Sequence, residues 1–99
     1  MDCLVLITPQ AETDIEAVCR YIAVDLHNPQ AATDLADALY GAIETLSTMP
    51  LRHPVWRREP WKSRGVRSMD VKNYRLFYLA DESLHRVVVL RIFYNRRDV

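Results

Sequence analysis

The sequence contains no apolar run approaching the ~20 residues a bilayer-crossing helix requires, which argues against a transmembrane helix. Nothing around Met1-Asp2-Cys3 resembles a basic n-region or a cleavage site, so the cytoplasm is the expected compartment. Cysteine is scarce. Cys3 and Cys19 are the only two and have no ligand-like spacing, so neither a metal nor a cofactor is expected and both thiols read as buried and unpaired. Net charge is missing as well, since 13 Lys/Arg meet 13 Asp/Glu. A balanced chain ordinarily argues against a nucleic-acid partner. The balance conceals segregation, however: residues 1–50 set Arg20 alone against eight carboxylates, whereas residues 51–99 hold 12 Lys/Arg against five. Local potential steers a ligand more than net charge does, so the basic half keeps an anionic partner open.

Ninety-nine residues, 49% hydrophobic and 26% charged, suit one soluble domain spanning 1–99 with a modest core. The organising stretch is Gly65 to Asp98. It reads as three strands, Val66–Val71, Tyr74–Ala80 and Arg86–Tyr94, separated by short polar turns. Arg67, Arg75, Arg86 and Arg91 are threaded through them. A strand carrying Arg among apolar neighbours has one face in a core and one face presenting charge. By alternation Tyr74, Leu76 and Tyr78 share one face, while Arg75 and Arg91 fall on the face away from the helices. Arg67 joins them or not according to the hairpin register at Lys72-Asn73.

Upstream, Cys3–Ile7 reads as a further strand, and Thr8-Pro9 signals a helix start, with Thr as N-cap and Pro at the first helical position. Its stripe is Ala11, Ile15, Val18, Ile22 and Leu26. Asn28-Pro29 repeats the signal, opening a second helix with a stripe of Leu35, Leu39, Ala42, Leu46 and Met49, ended by Pro50. Gly41 inside that helix reads first as the mark of a close helix or sheet contact, with a merely tolerated glycine as the alternative. His27, between the helices, reads as a helix C-terminal residue. Pro54 and Pro60 argue against regular structure in Leu51–Arg64. That segment interleaves Arg57, Arg58, Lys62 and Arg64 with Trp56 and Trp61. Such a mixture suits either phosphates with unpaired bases or simple packing of the loop onto the domain. The order β-α-α-β-β-β gives the expected α+β class: a two-layer domain with a helix hairpin on a small, mainly antiparallel sheet.

Several segments together resemble the RelE/ParE superfamily of toxins from bacterial type II toxin–antitoxin operons. They are Thr8-Pro9-Gln10-Ala11-Glu12 leading into Tyr21-Ile22, Asn28-Pro29-Gln30-Ala31-Ala32, Gly65-Val66-Arg67, Val71-Lys72-Asn73-Tyr74-Arg75-Leu76-Phe77-Tyr78 and Tyr94-Asn95-Arg96-Arg97-Asp98. The resemblance implies a growth-inhibiting toxin with a cognate antitoxin as partner and no membrane association. The antitoxin is expected to mask Arg75. Two activities are known in the superfamily. Ribosome-dependent mRNA cleavage, an endoribonuclease activity with ribosome and mRNA as partners, is taken first. ParE-like inhibition of DNA gyrase is the alternative, and a non-catalytic antitoxin-binding repressor the third.

For cleavage, the resemblance places Arg75 and Arg67 at basic strand positions used by ribonuclease members, and Arg96 or Arg97 at a C-terminal arginine. Guanidinium groups suit a pentavalent phosphate because they stay cationic and bind its oxygens in a fork. Tyr94 is the nearest candidate for proton exchange, since His53 and His85 lie elsewhere in the sequence. The implied catalytic set is therefore Arg67, Arg75, Tyr94 and Arg96. The implied RNA-binding set is Arg57, Arg58, Trp61, Lys62, Arg64, Lys72, Arg91 and Arg97.

Overall fold

Thr8 does what its side chain suggests. In the computed structural model, which describes residues 3–95, its Oγ1 accepts the Ala11 N–H at 3.1 Å and caps helix α1, Pro9–Arg20. The helix continues into a wider π-helical turn, Tyr21–Asp25. His27 then takes a left-handed conformation at φ 52, its N–H bonding Val24 O while Asn28 N–H bonds Ile22 O, which closes the helix end. Asn28 caps the second helix, α2 (Pro29–Thr45), by accepting the Ala31 N–H at 3.1 Å.

The two stripes hold for most of their length. Ala11, Ile15, Ala32, Leu35, Leu39, Ile43 and Leu46 are buried, with Val18, Ile22 and Ala42 packed against them. Leu26 and Met49 depart from the expectation, at 54% and 55% exposed. The π turn changes the residue-per-turn count before Leu26 and rotates it off the stripe. Met49 lies past the helix, which ends at Thr45 instead of running to Pro50, so helical spacing no longer governs it. Neither cysteine is fully buried, and both are unpaired thiols. Burial also pushes the Cys19 thiol pKa up.

The sheet has the order β1-β4-β3-β2, with β1 Leu4–Ile7, β2 Arg67–Val71, β3 Tyr74–Asp81 and β4 Arg86–Tyr94. β1 runs parallel to β4 and the remaining pairs are antiparallel, giving the expected two-layer α+β architecture. Both helices cover the face that carries Val71, Leu76, Tyr78, Val87, Val89 and Ile92. Strict alternation does not survive along β4. Phe77 pairs with Arg91 and Tyr78 with Val89, so Leu90 is left over as a bulge residue. The bulge lets Val87, Val89 and Ile92 all face the helices, where period two would have split them.

The segment after α2 also differs from expectation. It forms an isolated bridge, Val55 to Arg67, and then a one-turn helix, α3 (Trp61–Arg64), which Gly65 ends at φ 75. Trp56 N–H bonds Val66 O and Ser68 N–H bonds Pro54 O, so this segment caps the outer edge of β2. No helix among the described residues is long and apolar enough to cross a membrane.

Gly41 does not mark a close contact, because a Cβ built there meets nothing within 4 Å. Its helical backbone also imposes no need for glycine. Gly41→Ala is therefore expected to stabilise the protein by about 1 kcal/mol through helix propensity. Urea unfolding would register this as a higher midpoint at unchanged slope, and an unchanged or lower midpoint would refute it.

Candidate functional site

Phe77 organises the face away from the helices. It is only 5% exposed, although neither α1 nor α2 covers it. Trp56 stands edge-on to its ring at 5.2 Å, Trp61 packs at 4.6 Å and Phe93 at 6.0 Å. The loop tryptophans thus fold back onto the sheet, and the burial of this aromatic cluster positions the loop. Arginines stack on its rim. Arg75 lies 4.9 Å and Arg57 5.4 Å from the Trp56 ring centroid, and Arg91 lies 4.6 Å from that of Phe93.

Two of the strand arginines on this face already have a carboxylate, while Arg86, at the start of β4, is exposed. Arg75 Nε donates to Asp70 Oδ1 at 2.9 Å, across the β2–β3 pair. Arg91 forks onto Asp14 of α1, with Nε at 2.8 Å and Nη2 at 3.0 Å. The Ile92 N–H also donates to Asp14, at 2.9 Å. Burial works to raise the Asp14 pKa, but the Arg91 hydrogen bond, the Ile92 N–H and the Arg91 charge outweigh it, and the net shift is downward.

Arg67 lies on the other face. It pairs with Tyr78 in the β2–β3 register, and its Nη1 donates to His53 O at 2.7 Å and Leu51 O at 3.4 Å. The Tyr78 hydroxyl donates to Pro50 O at 2.7 Å. Together these two side chains fasten the Pro50–His53 backbone. His53 has a buried Nε2 without a hydrogen-bond partner, and burial, helped by the Arg52 charge, lowers its pKa. Tyr94 is 61% exposed at the other end of the sheet, its ring 5.6 Å from Tyr74. Arg67 is opposite Tyr78 and Tyr94 opposite Tyr74, so roughly 13 Å of strand separates them at ~3.3 Å per residue.

The arrangement therefore does not gather Arg67, Arg75 and Tyr94 into one site. Arg96 and Arg97 lie outside the described residues. Arg57, Arg58, Lys62 and Arg64 form an exposed basic margin around α3, and Lys72 occupies the β2–β3 turn at φ 53. Among the described residues no group of three or more His, Cys, Asp or Glu is placed to hold a metal.

Sequence reasoning did not single out two features. One is a pocket of about 460 Å³ at the β2 edge, whose lining includes His53, Trp56, Arg57, Asp70 and Arg75. The other is an apolar groove of about 730 Å³ at the hairpin bend, where Tyr21, Ile22, Leu26 and Leu35 face Tyr74 and Tyr94. Helical spacing alone places Leu26 on the buried stripe. Its exposure follows from the π turn, for which the sequence carries no simple signal.

A family model described as ParE toxin of type II toxin-antitoxin system, parDE, matches residues 5–99. No curated protein matches the chain. Among solved structures, a chain of the chromosomal ParDE toxin–antitoxin system from P. aeruginosa superposes with a TM-score of 0.76 at 18% identity, covering 95% of this chain and 97% of that one. A chain of the RelBE2 toxin–antitoxin complex from Mycobacterium tuberculosis gives 0.65 at 26% identity, covering 95% and 99%. The first is a likeness of fold alone.

The Asp14 geometry sets a stability expectation. Asp14→Ala removes a fork and leaves the Ile92 N–H without its acceptor, a loss of about 1–3 kcal/mol near neutral pH. The folded-state carboxyl has the lower pKa, so its ionic contribution is complete above the unfolded value of about 4 and disappears as pH falls through the folded one. Denaturation of both proteins at pH 7 and at pH 3 should show the gap narrowing in acid. A gap that widened or stayed constant would contradict the assignment.

Proposed function

Because this chain belongs to the family of ParE toxins of type II toxin–antitoxin systems, we propose that it arrests growth by inhibiting DNA gyrase and is silenced by a cognate antitoxin. The carrying observation is that Arg67, Arg75 and Arg91 are each bonded within the fold. Cleavage of RNA through its 2′-OH needs unengaged guanidiniums converging on one phosphate, with a proton-exchanging group in hydrogen-bond reach. Arg75 and Arg91 are paired to carboxylates, and Arg67 spends its donors on loop carbonyls on the opposite face. Tyr94 lines the groove on the helix side.

A protein target suits the far face better. Aromatic rings with arginines stacked on them are the composition of energetic centres in protein–protein interfaces. Trp56, Trp61, Phe93 and Arg57 provide such a surface here. The test pairs two assays on the purified toxin: gyrase supercoiling, and cleavage of mRNA on programmed ribosomes. Inhibited supercoiling with intact mRNA is the expected result. Cleavage without any effect on gyrase would return the reading to a ribonuclease.

The groove at the hairpin bend supplies apolar surface for an amphipathic antitoxin segment that orders on binding. Tyr21, Leu26 and Tyr94 are 52%, 54% and 61% exposed, so they contribute little to the core and much to such a contact. Leu26→Glu is expected to weaken antitoxin binding at least tenfold while leaving the melting temperature nearly unchanged. Calorimetric titration with the antitoxin measures this, and an unaltered affinity would place the contact elsewhere.

A further inference from the structure

The pocket at the β2 edge has the parts of a nucleotide site. An indole ring, Trp56, is flanked by two guanidiniums, Arg57 and Arg75, in an open cavity of about 460 Å³. Aromatic faces with arginines beside them bind unpaired bases and their phosphates without regard to sequence. A carboxylate lies in the same cavity. Asp70 takes Arg75 Nε at 2.9 Å, and its Oδ1 also accepts the Asn95 side-chain amide at 3.2 Å.

We propose that Asp70 is a specificity-determining residue that keeps this aromatic–arginine pocket closed to nucleic-acid phosphodiesters. It acts in two ways. Its carboxylate occupies a guanidinium donor that a phosphate oxygen would otherwise use. Its negative charge also stands beside any phosphate that Arg75 would hold, and a like charge at that range opposes binding. Asp70 is 53% exposed and Arg75 24% exposed on the side chain, so the pair contributes little to stability. A carboxylate of small structural value, set on the cation best placed for a phosphate, fits discrimination better than folding.

The contrast with the other strand arginine sharpens this. Asp14 binds Arg91 in a fork and also accepts a backbone N–H, with its side chain only 14% exposed, so that carboxylate is part of the framework. Asp70 accepts no hydrogen bond from a backbone N–H among the described residues. The inference rests on the reading that the toxin's target is a protein.

The experiment is fluorescence anisotropy of a labelled single-stranded RNA 20-mer in low salt, with folding checked by thermal melts. Asp70→Asn is expected to tighten binding about three- to tenfold over wild type, the scale for removing one exposed charge beside a phosphate. The gain should vanish in Asp70→Asn combined with Arg75→Ala. Glu82→Gln makes the same change in net charge at the exposed β3–β4 turn and should give no comparable gain. Asp70→Ser repeats the test with a smaller side chain. Unchanged affinity in both Asp70 variants would overturn the proposal, as would equal tightening by Glu82→Gln or a gain that survives loss of Arg75. Gyrase is absent from this assay, so a failure here leaves the target reading untouched, and the supercoiling assay judges that reading separately.

Discussion

Beyond Val89, β4 has no strand on its outer side, because β1 stops at Ile7. Helix α1 supplies the missing partners. The Thr8 hydroxyl donates to Leu90 O at 3.0 Å, and Asp14 accepts the Ile92 N–H at 2.9 Å while holding Arg91. Unpaired backbone groups on a sheet edge are both an energetic cost and an invitation to wrong pairing. The N-cap and one helix side chain each satisfy a backbone group on this edge, and together they tie the helix layer to β4. The bulge at Leu90 falls inside the same gap, so the helix, the bulge and the orientation of Ile92 into the core are one arrangement.

That arrangement also decides what the toxin offers to its surroundings. With Arg91 drawn to Asp14 and Arg67 to loop carbonyls, the cations of the sheet act largely as internal fasteners. The far face is left to aromatic side chains around Phe77, with guanidiniums lying over their rings. Among the described residues, Arg57, Arg58, Lys62 and Arg64 gather an exposed basic margin around α3, with Arg52, Lys72 and Arg86 exposed apart from it. A neutral chain with segregated charge thus carries a mixed aromatic and cationic surface, which suits selective contact with a protein better than tight binding to a polyanion.

Much of the fold was legible in the sequence, because local rules carried it. Thr8-Pro9 and Asn28-Pro29 are helix starts whose side chains cap as their chemistry dictates. The apolar stripes marked Ala11, Ile15, Leu35 and Leu39 as core, and three runs of β-branched and aromatic residues marked β2, β3 and β4. The candidate site was less legible. Arg75 was expected on the far face and lies there, and of the two carboxylates near it in sequence, Asp70 and Asp81, it takes Asp70. Arg91 is held by a residue 77 positions away. The groove exists because a π turn exposes Leu26 and the sheet end brings Tyr94 opposite it.

By itself, the sequence determined the element order, the capped helix starts, the separation of acidic helices from basic strands and the resemblance to a toxin family. Those are properties of neighbouring residues and their spacing. Only the tertiary structure decided which face Arg67 occupies and what each arginine binds. Side chains alternate with a period of two, so one hairpin register or one bulge residue transfers a guanidinium to the opposite face. The Lys72-Asn73 hairpin sends Arg67 toward the helices, and the Leu90 bulge returns Ile92 to the core. Both outcomes depend on packing against helix and loop residues far away in the chain, and no local pattern encodes them.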